Sequence, residues 1–437
     1  MKSGVRRWVI ESILALLYYN LLVFFFLPVY LRVYAYMLDN TYRLNIYRYL
    51  MATLVVFLST LLLYQKNDSN EYEHAYAFAL RLFYVLSFIP MLALFCCGNR
   101  FAAKILFAPL IFDVGLLFCL RDYSINTHKK SISIKLPVIA HADLYVLAFC
   151  GIISVLTWAM AGFPIVASFS DSYEQRIALR QNSLPTIINY LYTMTGGALL
   201  PFLFARNLVY KRYIRMTLSL IFGLFLFFVN GMKTWLLLYI LAVVITFLTS
   251  KTEKPFSLYL LIELGIIIIT IVSAVLASRF GMISLLNQTG RIIIIPNNIG
   301  FKYVDFFSTH ELLFLRESIL RSFFSSPYPG GSDFYINYGV NATITSGRAN
   351  NGLFGDAFRN FGIIGAVIYP FLTGKAINII ERNCKEEPIT LRYFTMLLLV
   401  WGAINTSFFT WLLTGGIIIL FILLKINSSN RELQYSV

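Results

Sequence analysis

The sequence predicts an all-α, polytopic integral membrane protein with about twelve transmembrane helices and one large loop between spans nine and ten. Three observations carry that prediction. Of 437 residues, 58% are hydrophobic and 13% are charged, whereas a soluble domain keeps about 25% charged residues to stay dispersed. Apolar runs of about 20 residues recur along the whole length, long enough to cross a bilayer core. One long stretch, from Ser278 to Gly352, breaks the rhythm with Arg279, Arg291, Lys302, Arg316, Arg321 and Arg348.

The spans are read in order at 8–30, 46–64, 77–97, 102–120, 144–162, 186–206, 213–230, 233–250, 258–278, 353–375, 391–408 and 410–425. The first run is longer than a signal core and lacks a small-residue cleavage site, so it is expected to stay as a span. The last pair makes a hairpin only if the chain turns near Phe409-Thr410; one long kinked helix there changes the parity. Residues 1–278 then hold spans one to nine with a short helical loop at 163–185. Residues 279–352 form the large loop, and 353–437 hold spans ten to twelve and the C-terminus.

Orientation follows from lysine and arginine in the short connectors, which collect on the cytoplasmic side. Alternate connectors, counted from the N-terminus, receive Lys2, Arg6, Arg7, Arg121, Lys129, Lys130, Arg206, Lys211, Arg212, Lys251, Lys375, Arg382, Lys385 and Arg392. Both termini are therefore expected in the cytoplasm, with 163–185 and 279–352 periplasmic. The net charge of +15 reads as this rim and its attraction to anionic lipid. No interleaved basic patch supports nucleic-acid binding. The five cysteines and four histidines show no metal-ligand spacing, so no metal and no cofactor is expected.

Long loops escape the positive-inside bias, so arginines there need another reason. Arg176 and Arg180 are four apart, on one face of a helix that Ser170 or Asp171 can cap. Two guanidiniums on one face grip phosphate oxygens bidentately; the plainer alternative is an amphipathic helix on the membrane surface. Lys233 follows the turn at Asn230-Gly231, and Arg279 emerges as span nine ends; each also fits a snorkelling anchor.

The stretch Ser346–Gly365 is the most patterned. Its small residues at 352, 355, 362 and 365 permit close helix approach. Asn350 and Asn351 can cap a helix whose start, beside Arg348, favours an anion. Asp356 and Arg359 enter at the outer end of the span, either as an ion pair or as functional groups. His310 is the only histidine in the large loop. It is the first candidate base for an incoming hydroxyl, ahead of Asp356, Glu311 and Asp333. Tyr328, Phe334, Tyr335 and Tyr338 can stack on sugar rings or mark a membrane interface.

These pieces together resemble the O-antigen or oligosaccharide repeat-unit polymerase family (Wzy type). The likeness rests on the span number, the large loop in the second half, the Asp171–Arg180 segment and the Asn230–Lys233 turn. Locally it is closest in Asn351–Gly365. The resemblance implies a C-type glycosyltransferase activity: a growing glycan leaves undecaprenyl diphosphate for the nonreducing end of an incoming lipid-linked unit. It implies arginines at Arg176, Arg180, Arg279 and Arg348 as essential; Lys233, Arg291 and Arg359 are further candidate diphosphate contacts. It also implies a bacterial inner-membrane location, and a flippase and a chain-length co-polymerase as partners. An O-antigen ligase acting on a lipid A core shares the donor. A repeat-unit flippase needs charges within spans lining a cavity and internal repeat symmetry; the sequence shows neither, with Asp113 and Glu263 the main exceptions among spans that lack central charges.

Overall fold

The computed structural model describes residues 2–38, 41–63, 75–98, 103–125, 141–164, 184–251, 255–318, 320–321, 323–338 and 352–436. Among these, helices dominate and the only β pairing is an isolated bridge between Tyr42 and Gly98. The protein is an all-α, multi-pass membrane protein. Ten helices are long and apolar enough to cross a bilayer. They are α1 (Arg7–Tyr34), α2 (Ile46–Leu63), α3 (Ala75–Cys97), α5 (Ala142–Met160), α6 (Thr186–Val209), α7 (Tyr213–Asn230), α8 (Lys233–Lys251), α9 (Tyr259–Phe280), α13 (Leu353–Asn383) and α15 (Phe408–Ile426).

The other two apolar segments are also helical. Helix α4 (Phe107–Ile125) carries Asp113, Arg121 and Asp122, and α14 (Ile389–Asn405) has 17 residues. Between α9 and α13 the chain forms α10 (Ile283–Ile293), α11 (Ile295–Phe307) and α12 (Ser332–Tyr338).

Three spans widen into a π-turn, at Leu22–Phe26, Tyr84–Phe88 and Thr195–Leu199. Each turn ends just before a proline: Pro28, Pro90 or Pro201. A proline lacks the N–H that would bond four residues back, and its ring crowds that carbonyl. The residue four back falls inside the π-turn in all three cases, so the proline is the physical cause of the widening.

The chain divides into two compact units that cut across the sequence-based division. The first comprises 1–128, 254–376 and 400–408; the second comprises 129–253, 377–399 and 409–437. In the first unit α3 is the most enclosed span: 94% of its most apolar window is buried, against 22% for α9. Helix α10 lies close on α1, because a Cβ at Gly290 would stand 2.0 Å from the Tyr30 ring. The second unit interlocks glycine with aromatic rings, Gly196 under Trp235 and Gly223 under Tyr239.

Hydrogen bonds within each unit report which connectors share a face. In the first unit Arg43 N–H reaches Cys97 O at 2.7 Å, and Tyr34 OH reaches Ile283 O at 3.3 Å. Phe408 N–H reaches an Asp356 carboxylate oxygen at 3.0 Å. Among the described residues of this unit, Tyr34, Arg43, Cys97, Ile283, Asp356 and Phe408 thus mark helix ends on one side, as alternate counting requires. In the second unit the other set meets: Arg206 with Asp143 at 3.1 Å and with Glu387 at 3.6 Å. Thr249 also meets Thr390 at 2.7 Å. The parity hinges on the last pair, and the chain does turn there. Trp411 Nε1 donates to Leu399 O at 2.9 Å, whereas twelve residues of continuous helix would separate them by about 18 Å.

Helix α13 is broken at Gly362, whose φ of 57° and ψ of −138° are non-helical. Only glycine takes that conformation without strain. Gly362→Ala is expected to destabilise the protein by about 1–3 kcal/mol, read as a lowered thermal midpoint of the full chain in detergent. Gly265→Ala, at a position with nothing within 4 Å of an added Cβ, serves as the control that holds its midpoint.

Candidate functional site

The break in α13 organises the large loop. With the helix interrupted, the carbonyls of Arg359 and Asn360 accept from the loop, from Leu313 N–H at 2.9 Å and Phe314 N–H at 3.3 Å. The Asn360 side chain takes Leu315 N–H at 2.8 Å. These bonds hold Phe314 and Leu315 at positive φ, 45° and 67°, a conformation that non-glycine residues rarely adopt.

Arg359 sits just behind this junction and is only 4% exposed. Its Nη2 and Nε donate to one Asp356 oxygen at 2.8 and 3.1 Å. Its Nη1 lies 3.2 Å from Asp333 and 3.6 Å from Glu317. The carboxylates are themselves tied down. Glu317 accepts from the Ser332 hydroxyl at 2.6 Å, Ser332 N–H at 2.8 Å and Ser326 at 2.6 Å. Asp333 accepts from the Tyr303 hydroxyl at 2.8 Å. Burial, and then the Asp333 carboxylate, pushes the Tyr303 phenol well above its usual range, so it stays a donor.

This arrangement bears on two expectations. Arg359 was a candidate diphosphate contact, but its guanidinium is buried and faces three carboxylates, a field that repels anions. Asp356 was a candidate base, yet it is fully buried and both its oxygens are engaged. The pair is the ion-pair alternative, extended by Asp333 and Glu317. The small residues divide the same way. Gly352 does allow close approach, since a Cβ there would meet Ile404 O at 2.3 Å, whereas Gly362 supplies the break.

Above the hub lies an aromatic ledge. The His310 ring stacks on Phe306 with centroids 4.0 Å apart. Its Nδ1 is 2.9 Å from Phe306 O. The Thr309 hydroxyl lies equally close to Nδ1, at 2.9 Å, so the ring has a partner at Nδ1 in either tautomer. Phe306 also meets Tyr328 at 5.4 Å, and Tyr328 meets Tyr335 at 5.6 Å. Tyr328 is mostly buried and donates to Glu311 O at 2.7 Å. Phe334 is half-buried over Gly330. Tyr338 closes α12; its side chain lies outside the described residues. Glu311 is exposed and pairs with Arg316 at 2.6 Å, and Arg316 also bonds Leu313 O and Leu312 O, so it braces its own turn.

The remaining candidate cations separate. Arg279 ends α9 and is exposed, with no carboxylate partner among the described residues. Arg291, exposed on α10, bonds only the Asn287 amide oxygen at 3.2 Å. Lys233 belongs to the other unit and opens α8 after Gly231, at φ 61°. Arg176, Arg180 and Arg348 lie outside the described residues. Among the described residues no three His, Cys, Asp or Glu side chains are grouped as metal ligands.

Sequence reasoning ranked Asp333 last among the bases and gave Glu317 no role. Their joint role had no local signal, because partners 26 and 42 positions from Arg359 share no helical period. Within the spans, Arg81 pairs with Glu11 and covers the Tyr259 ring at 4.6 Å. Glu11 and Glu263 line one small cavity with Tyr18.

Comparison of the chain with protein-family models, with curated proteins and with solved structures finds no match.

Arg359→Met strands Asp356 as a buried charge, and removing one partner of such a pair costs about 3–5 kcal/mol. Limited proteolysis is expected to cut 308–335 much faster in this variant. Arg359→Met with Asp356→Asn should recover part of the protection, as the coupled pair requires.

Proposed function

We propose that this chain is a polyprenyl-diphosphate-dependent glycan polymerase, acting on the side of the membrane that carries the large loop. The observation that carries the reading is the aromatic ledge with His310 at its edge. It stands on a braced loop in the same unit as two exposed arginines, Arg279 and Arg291. A sugar ring stacks on aromatic faces, and an imidazole can take the hydroxyl proton of the incoming unit. The acceptor oxygen bonds to the anomeric carbon as that carbon's bond to the diphosphate oxygen breaks. The departing diphosphate gains negative charge, and a placed guanidinium stabilises such charge by about 3–4 kcal/mol.

In this reading Arg279 and Arg291 hold the headgroup, with Arg348 as a further contact. Arg359 and Asp356 instead hold the loop in shape. The loop faces the periplasm of a bacterial inner membrane, both termini are cytoplasmic, and a flippase and a chain-length co-polymerase are the partners. Undecaprenyl-diphosphate-linked oligosaccharide is the substrate, and the step uses no metal.

A second reading has its own support. Glu11, Arg81, Glu263 and Asp113 are charges within spans, and Glu11, Glu263 and Asp113 line cavities, as a transporter of lipid-linked oligosaccharide requires. A ligase differs from the polymerase only in its acceptor.

Purified protein given a synthetic polyprenyl-diphosphate repeat unit is expected to build a ladder of longer glycans. His310→Ala, Arg279→Ala and Arg291→Ala should each lower the rate by about 100-fold or more while the protein folds normally. A ladder unchanged in all three would refute the assignment; movement of the lipid across vesicles without elongation would favour the transporter. The sidedness has a separate check. All five native cysteines are buried, so Thr309→Cys should react with a membrane-impermeant maleimide from outside the cytoplasmic membrane, and Lys385→Cys should not.

A further inference from the structure

Asp113 is a buried carboxylate without a cation. It lies within α4, 7% exposed, and its hydrogen-bond partner is the Ser87 hydroxyl, 3.2 and 3.4 Å from its two oxygens. Among the described residues no Lys, Arg or His lies within ion-pair distance of it. Ser87 belongs to the π-turn Tyr84–Phe88, which Pro90 forces on α3. Such turns turn up often at functional sites.

A cavity of about 50 Å³ opens beside this pair, lined also by Asn297 and Tyr303 of α11, by Gly352 just before α13 and by Gly355 within it. Asn297 uses its amide N–H on Ile293 O at 2.9 Å, which leaves its side-chain oxygen as an acceptor. Tyr303 is spent on Asp333. A water-sized particle needs roughly 10–15 Å³ in this measure, so the space takes a few such particles and no sugar ring.

An ionised carboxylate kept from water is costly unless paired, and intramembrane acids pair or function. We propose that Asp113, Ser87 and Asn297 form a site for one monovalent cation, sodium in kind. The donors are all hard oxygens, which suit an s-block ion and not a soft metal. They carry a single negative charge, so one positive charge balances the site, whereas a divalent ion would leave an excess. Bound there, the ion ties α3 and α4 to α11 and to the start of α13, the two elements that carry Tyr303 and Arg359. The site stands independently of the glycan reading.

The test uses the full chain in lipid nanodiscs with radiolabelled sodium, choline chloride holding the ionic strength constant. The wild type is expected to bind one sodium per chain saturably and to unfold at a higher temperature as sodium replaces choline. Asp113→Asn should lose both responses. Ser87→Ala keeps the carboxylate and should raise the half-saturating sodium concentration about tenfold; it carries the test if Asp113→Asn fails to fold. Absence of saturable binding, equal binding by the variants, or an unfolding temperature that follows pH and ignores sodium would each overturn the site.

Discussion

A single guanidinium, Arg359, holds the large loop to the membrane domain. It reaches Asp356 on its own helix, Asp333 at the start of α12 and Glu317 in the turn between α11 and α12. Each of those acids in turn fixes backbone or side-chain donors elsewhere. Asp356 takes the N–H of Phe408, and so pins the turn before the last span. Asp333 takes Tyr303 and Glu317 takes Ser332. Buried charge is tolerable here because every acid has both the arginine and further donors, the condition under which a low-dielectric network rigidifies.

The break at Gly362 makes the same arrangement possible from the backbone side. Helix carbonyls normally bond within the helix and offer nothing to a neighbour. Once Gly362 leaves helical geometry, two of them become acceptors, and the 313–315 segment supplies the donors. The loop is thus fastened twice, by charge and by backbone, within a few residues. A ledge of stacked rings can stand on such a base and keep its shape when a ligand arrives, which lowers the ordering cost of binding.

The spans carry a second set of polar groups that the loop does not explain. Glu11 with Arg81, and Asp113 with Ser87, sit where lipid or helix would ordinarily exclude charge. Proline takes part in this too. By removing one backbone donor in α3 it widens the helix at Ser87, and the widened turn is what meets α4 at Asp113. Helix distortion and buried acid are one feature seen from two sides.

Hydropathy alone determined much of this protein. Twelve apolar segments were legible and all twelve are helical, most within a few residues of their expected bounds, though α13 runs eight residues past 375 to Asn383; a bilayer requires about 20 apolar residues per crossing regardless of what they pack against. The alternate-connector pattern was legible for the same reason. The Asp356–Arg359 contact was readable as one of two alternatives, since residues three apart on a helix must be neighbours. What tertiary structure added is the set of partners around that pair. Asp333 and Glu317 reach Arg359 only after the chain has turned at Gly362 and at Phe314, and no periodicity links them beforehand. The same folding buries Asp356, exposes Arg279 and Arg291, and lays His310 on Phe306. Those placements depend on contacts between elements distant in sequence, which local propensity does not encode.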